Sequence, residues 1–300
     1  MTQKLTANLP QTRQASTLAS PFASRRVRAW LSSTLAYLLM TALAFVFMIP
    51  LLWMLSTSLK ERWEIMAWPP QWVPTDPQWQ NYIEAFTRYP MGRFMLNSAL
   101  LVVINVIGEL LAVPLVAYGF ARLRFPGKRG LFILVIATMM IPRHAMLIPL
   151  FTIYQRLGWI DTYLPLTVSA FFGGPFFIFL LVQYMRTLPR DLDDAARIDG
   201  AGTWTILYRV LLPLCKPPLA IIVVYTFWGT WNDFLHPLIF LNSFETYPVQ
   251  VGLAMFRGRY SVEWHLFMAA TLVSILPILV LYFFVQKQLI GGIASVGLKG

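Results

Sequence analysis

Few residues in this chain have the chemistry to make or break a bond. Cys215 is the single cysteine, so no disulfide closes within the chain and no cysteine-based zinc site forms. The histidines, His144, His236 and His265, are scattered, and none lies in an H-E-x-x-H spacing. No metal site or nucleophile–base pair can be read from these residues. A G-x-x-x-x-G-K-[ST] phosphate loop is also lacking; the nearest string, Gly127-Lys128-Arg129, has no hydroxyl residue after it. What remains is polar groups set among apolar ones. Asn97, Asn105 and Glu109, eight and then four residues apart, form one helical stripe with Leu101. Trp228, Trp231 and Asn232 share a face at i, i+3, i+4, with Asp233 one step off it. Rings and hydrogen-bonding side chains are what a sugar needs, since its C–H faces pack on aromatics and its hydroxyls exchange hydrogen bonds. Each group has a plainer reading as well. The stripe serves to join helices by hydrogen bonds, Asp233 to cap or pair locally, and Pro237 to end or kink its helix. Arg143, next to Pro142, has three readings: it snorkels to the outer interface, pairs with Glu109 or Asp233, or meets the phosphate of a sugar phosphate.

The elements that hold these residues are membrane spans. Of 300 residues, 57% are hydrophobic and 12% charged, against about 25% charged in a soluble domain. The apolar residues come in blocks of the length that crosses a hydrocarbon core. Six spans are expected, at roughly Ser33–Leu55, Phe94–Phe120, Leu131–Ile153, Leu164–Tyr184, Leu219–Phe240 and Leu266–Val285. All must be helical to satisfy their own backbone. A helix break is expected near Pro142. Residues 1–29 carry Lys4, Arg13, Arg25, Arg26 and Arg28 and no acid. They are expected to be a disordered cytoplasmic tail, with a transit peptide as the alternative, followed by one transmembrane domain over 30–300.

Lys and Arg set the orientation. With the N-terminus inside, the inner segments hold 16 of the 24 basic residues, so both termini are expected on the cytoplasmic side of the cell membrane. The net charge of +11 is then an orientation signal. No basic run is interleaved with aromatics as a nucleic-acid groove requires. Trp63, Trp68, Trp72 and Trp79 fall in the first outer loop, as interfacial anchors or as a docking surface for an external partner.

The inner stretch from Thr187 to Pro218 is too polar to span and too patterned for a plain loop. Asp191 is placed to N-cap a helix, with Asp194 in a capping-box-like position three residues on. Gly200 supplies a left-handed stop, and Thr203 caps a second helix. Trp204, Leu207, Tyr208 and Leu211 give that helix one apolar face, and Pro213 ends it. Two short helices meeting at a glycine corner are expected along the cytoplasmic face. The plainer reading is an amphipathic helix lying on lipid headgroups.

The string Asp194-Ala195-Ala196, three residues, Gly200, nine residues, then Val210-Leu211-Leu212-Pro213 resembles the EAA loop of ABC importer permeases. It departs from that pattern by Asp for Glu and Val for Ile. The stretches IPLFTIYQRLGWIDTYLPL, AARIDGAG, VLLPLCKPPLA, WNDFLHPLIFLNS and the closing GLKG are similar to the maltose-type permeases of carbohydrate uptake class 1. The resemblance implies an all-α six-span permease of an ATP-driven sugar importer. It implies a paralogous second permease, two ATPase subunits that carry ATP and Mg, and an extracytoplasmic solute-binding protein. This chain would bind no cofactor itself. Asp194, Ala195, Ala196, Gly200, Leu212 and Pro213 would form the ATPase-coupling site. Asn105, Glu109, Trp228, Trp231, Asn232 and Asp233 would be candidates for the translocation path. An amino-acid or phosphonate permease is the nearest alternative. A membrane-embedded enzyme and a secondary transporter are more distant ones.

Overall fold

The computed structural model describes residues 21–258 and 262–297, the side chains of 21–28, 143 and 287–297 excepted. Among the described residues its regular elements are all helical, apart from one antiparallel bridge between Arg257 and Val262. The chain divides after Trp53 into two units. The described part of the first belongs to helix α1 (Pro21–Ser58). This helix begins inside the 1–29 segment expected to be disordered. Proline suits a first helical turn, and the alanines and arginines that follow favour continuing it. Residues 1–20 lie outside the described residues.

The second unit contains α2 (Arg62–Ile65), α3 (Gln80–Arg88), α4 (Met91–Arg122), α5 (Lys128–Thr138), α6 (Leu147–Arg156), α7 (Leu164–Thr167), α8 (Pro175–Thr187) and α9 (Asp191–Ile198). Next, α10 (Thr203–Thr205) runs through a π-helical turn at Ile206–Leu211 into α11 (Leu212–Leu214). The chain continues with α12 (Lys216–Trp231), α13 (Leu235–Phe240), α14 (Val249–Met255) and α15 (Trp264–Gly297).

Four described helical segments are long and apolar enough to cross a membrane: Ala29–Ser58, Met91–Arg122, Leu164–Thr187 and Trp264–Gln286. A fifth is added if Thr203–Leu214 and Lys216–Trp231, bent by 81°, count as one span. Length and composition thus mark four or five of the six expected spans, because the third and fifth are broken. The third splits around Pro142 into α5 and α6, with a 3-10 turn at Arg143–Met146 between them. In the fifth, the helix stops at Trp231 and restarts at Leu235, so the break precedes Pro237 instead of falling on it. Leu164–Thr187 is also interrupted, where Gly173 takes a φ of 79°.

Helix α4 is the hub. Its C-terminal half packs Val113, Ala117 and Ala121 against Leu181, Val182 and Met185 of α8, together with Ile206, Leu207 and Leu211 and Ile222 of α12. Its N-terminal half packs Met91, Phe94 and Val102 against α14, α15 and Trp231. Gly252 of α14 lies so close that a β-carbon there would fall 2.2 Å from the Phe94 ring.

Candidate functional site

The loop between α8 and α12 is held by charge on one side and by backbone geometry on the other. Helix α9 has Arg190 at its N-cap position, and no side chain caps it. Asp191, expected to be the cap, is instead the first helical residue. With Asp193 and Asp194 it puts negative charge in the first turn, where unpaired N–H groups favour it. Asp193 turns inward. One of its carboxylate oxygens lies 3.0 Å from Nε of Arg122, the last residue of α4, and the two side chains are 5% and 3% exposed. The same guanidinium donates from Nη2 to the Leu188 carbonyl, 3.0 Å away, just after α8. The Arg122–Asp193 contact, from Nε to Oδ2, is a charge pair without hydrogen-bond alignment, since Arg122 Nε has no hydrogen-bond partner.

Asp194 faces out and pairs with Arg197 at 3.1 Å, both side chains being more than half exposed. At the end of α9, Gly200 adopts a φ of 82°. The Gly200 N–H donates to Arg197 O (3.0 Å) and the Ala201 N–H to Ala196 O (2.9 Å). This pair of bonds is a Schellman cap, and Ala196 and Ala201 pack on the α4–α8 core beside it. The apolar face expected beyond the corner divides. Leu207 and Leu211 are buried with Ile206 and Cys215, whereas Trp204 and Tyr208 stack on each other in the open, centroids 6.1 Å apart. The π-helical turn holds more residues per turn, so the 3.6-residue spacing does not carry all four residues to one side. Leu212 is half-buried and Pro213 exposed. Asp194, Ala195, Ile198 (87% exposed), Trp204 and Tyr208 therefore remain exposed on a rigidly tied loop. Beside it, Lys128 sits in a crowd of cations: burial first, then Arg186, Arg190 and Arg124, push its ammonium below the usual lysine range.

A cavity of about 570 Å³ opens elsewhere in the second unit. Asn105 and Glu109 of α4 line it, together with Leu166, Ser169, Tyr225, Thr230, Asp233 and His236. Glu109 Oε2 accepts the Gly174 N–H at 2.8 Å, where α8 begins. Asn105 donates to Leu101 O and Leu166 O. Asp233 accepts the His236 N–H and lies 2.9 Å from its Nδ1. The structure thus gathers three of the six candidate path residues. Trp231 is 2% exposed, donates from Nε1 to Ser274 O at 3.1 Å and stacks on Phe227. With Asn232 it borders a second hollow of about 340 Å³. Trp228 is exposed and lines neither hollow. The Arg143 side chain lies outside the described residues.

Asp161 ties two loops together from a φ of 64°. Its carboxylate accepts the Ser243 hydroxyl and the N–H groups of Asn242 (2.9 Å) and Ser243 (2.8 Å). These bonds, the hydroxyl first, hold the carboxyl below the usual Asp range.

The family model described as binding-protein-dependent transport system inner membrane component matches residues 105–293, more than half of the chain. The chain belongs to this family. The permease is 31% identical over 267 residues to the diacetylchitobiose uptake system permease protein NgcG of Streptomyces coelicolor, covering 88% of each chain. It is 32% identical over 255 residues to the sulfoquinovosyl glycerol transport system permease protein SmoH of Agrobacterium fabrum, covering 84% of this chain and 88% of the relative. It is 30% identical to the galactooligosaccharides transport system permease protein GanQ of Bacillus subtilis, covering 93% and 99%. Among solved structures it matches a chain of a bacterial ABC transporter involved in the import of the acidic polysaccharide alginate. The TM-score there is 0.76 at 25% identity, with 89% of this chain and 99% of that one covered. The relatives are transport permeases and not enzymes, so the reading as a membrane-embedded enzyme falls away. Sequence reasoning missed the Arg122–Asp193 pair, because charges so far apart along the chain leave no spacing signal. It also missed Asp161, whose left-handed backbone carries no glycine to mark it.

Proposed function

We propose that this permease is one of two membrane subunits of an ATP-driven importer for a sugar or sugar derivative. It forms the translocation path with a paralogous permease. Two cytoplasmic ATPase subunits, which hold ATP and Mg, power it, and an extracytoplasmic binding protein delivers the cargo. Both termini face the cytoplasm. The observation that carries the reading is α9. An eight-residue helix is too short to persist alone in water, yet here it is fixed by a buried ion pair at one end and a Schellman cap at the other. It leaves Asp194, Ala195 and Ile198 exposed. A helix immobilised at that cost, with an open face on a chain lacking its own phosphate loop, fits the groove of a partner that hydrolyses ATP. Gly200, Leu212 and Pro213 set the corner and the re-entry into α12. The cavity at Asn105, Glu109 and Asp233 supports a path for a polyhydroxylated solute, and the named cargoes of the relatives support a sugar.

The test is a cross-link in the assembled transporter. With Ala195→Cys in a Cys215→Ala background, a short bifunctional thiol reagent should join this chain to the ATPase subunit. If no cross-link forms while the transporter remains assembled, α9 is not the coupling element. Screening the purified binding protein against neutral and acidic saccharides tests the cargo class, and binding of amino acids alone would overturn the sugar reading.

A further inference from the structure

Helix α4 grips α8 at both ends. At the start of α8, Glu109 Oε2 accepts the Gly174 N–H at 2.8 Å. At its end, Arg122 Nη2 donates to Leu188 O at 3.0 Å. The two grips are 13 residues apart on α4, about 20 Å of helix, and between them Val113, Ala117 and Ala121 pack on Leu181, Val182 and Met185. Helices α4 and α8 therefore run side by side in the same direction as one stiff pair. The Arg122 guanidinium makes a further contact, the charge pair to Asp193 in the first turn of α9. The pair lies where the two helix ends favour it, a cation at the C-terminus of α4 and an anion at the N-terminus of α9. Both side chains are nearly fully buried, so neither charge can part from the other and regain water without a large cost. Arginine suits the joint because its planar fork reaches a carboxylate and a carbonyl at once, which an ammonium cannot do in the same fixed geometry.

We infer that the Arg122–Asp193 pair is the joint through which α9 moves α4 and α8 together. Arg122 and Asp193 are positioning residues for transport: they touch no cargo and no ATP, but they carry displacement of α9 to Glu109 and Asn105 in the cavity. This rests on the coupling role proposed for α9. It adds a route through α4 to the direct chain connection from α9 into α12.

The experiment uses the assembled transporter in proteoliposomes, with a cationic methanethiosulfonate reagent as probe. A cysteine is placed at Ser169, which lines the cavity and is exposed, in a Cys215→Ala background. In the parent, adding ATP and Mg should change the labelling rate of that cysteine. In Asp193→Asn, ATP hydrolysis should persist while the ATP-dependent change in labelling shrinks by roughly 2- to 30-fold, the size of coupling changes along such connections. Arg122→Lys, which keeps the charge but not the fork, should fall between the two. A purely structural role would lower the yield of assembled complex and leave the labelling response of what assembles intact; that result overturns the proposal. If Asp193→Asn does not assemble, Arg122→Lys decides alone: a parental response refutes the joint and a reduced one supports it. The Ala195→Cys cross-link separates the two levels. If it forms and Asp193→Asn responds normally, the joint is wrong and the coupling role stands. If it does not form in the parent, the coupling role itself fails.

Discussion

Replacing Gly200 isolates the contribution of one backbone angle. Its φ is 82°, a region that costs an ordinary residue about 1–2 kcal/mol. A β-carbon there would meet nothing within 4 Å, so no steric clash adds to this. Gly200→Ala should then shift the corner away from its observed geometry by roughly 5- to 30-fold, the factor that 1–2 kcal/mol represents. Gly200→Val should cost more, because a β-branched residue is a true outlier at positive φ. Gly200→Asn should cost less, because asparagine tolerates the left-handed region. When the angle is lost, the bonds from Gly200 to Arg197 and from Ala201 to Ala196 open, and α9 keeps only its Asp193 end. Uptake in proteoliposomes and the yield of the Ala195→Cys cross-link should therefore fall in the order Asn, Ala, Val, with membrane insertion unchanged. If the three variants are equally impaired, or if Val matches the parent, the conformational argument is refuted.

Four further outcomes follow from the geometry. Glu109→Gln keeps an oxygen that can accept the Gly174 N–H, so thermal stability should hold while uptake falls; Glu109→Leu strands that N–H and should lower stability by about 1–3 kcal/mol, read from thermal melts in detergent. Trp231→Phe removes the bond to Ser274 O and should cost about the same, with little change in which cargo is carried. Because the Asp161 carboxyl is held below its ordinary range when folded, its contribution is complete above the unfolded pKa and disappears as pH falls through the folded value; Asp161→Asn should flatten that acid limb of the melting curve. A reporter after Gly300 should behave as cytoplasmic and one near Asp76 as external, and the reverse pattern would move α9 away from any cytoplasmic ATPase.

Much of this architecture is legible in the sequence because it rests on local rules. Apolar block length marked α1, α4 and α15, and the Gly200 corner followed from an Asp-rich start and a glycine stop. What stayed hidden depends on tertiary partners. Asp191 is the expected cap of α9, yet it is an exposed first-turn residue, and Asp193 two positions on is half of a buried pair. Trp231 and Trp228 share a predicted face, but α15 covers the first and leaves the second exposed. The division of the Trp204–Leu211 face arises from a π-helical turn, whose register no 3.6-residue count anticipates.

The polar stripe of α4 shows why the two readings of intramembrane polar residues do not compete. A broken span exposes backbone N–H and C=O groups, each costly to leave unpaired in an apolar setting. Each polar member of the stripe bonds the backbone of a short or irregular segment. Asn97 donates to the carbonyls of Glu245 and Tyr247, in the loop before α14. Asn105 donates to Leu166 O in α7. Glu109 accepts from Gly174, where α8 restarts after Gly173. A side chain that repairs a break must stand beside it, and breaks are where a bundle of straight helices cannot close. Asn105 and Glu109 therefore line the cavity because they do structural work at its wall. Their replacement should disturb folding and transport together unless the substitute preserves the hydrogen bond. This makes Glu109→Gln, which retains an acceptor and removes only the charge, the variant that separates the two roles.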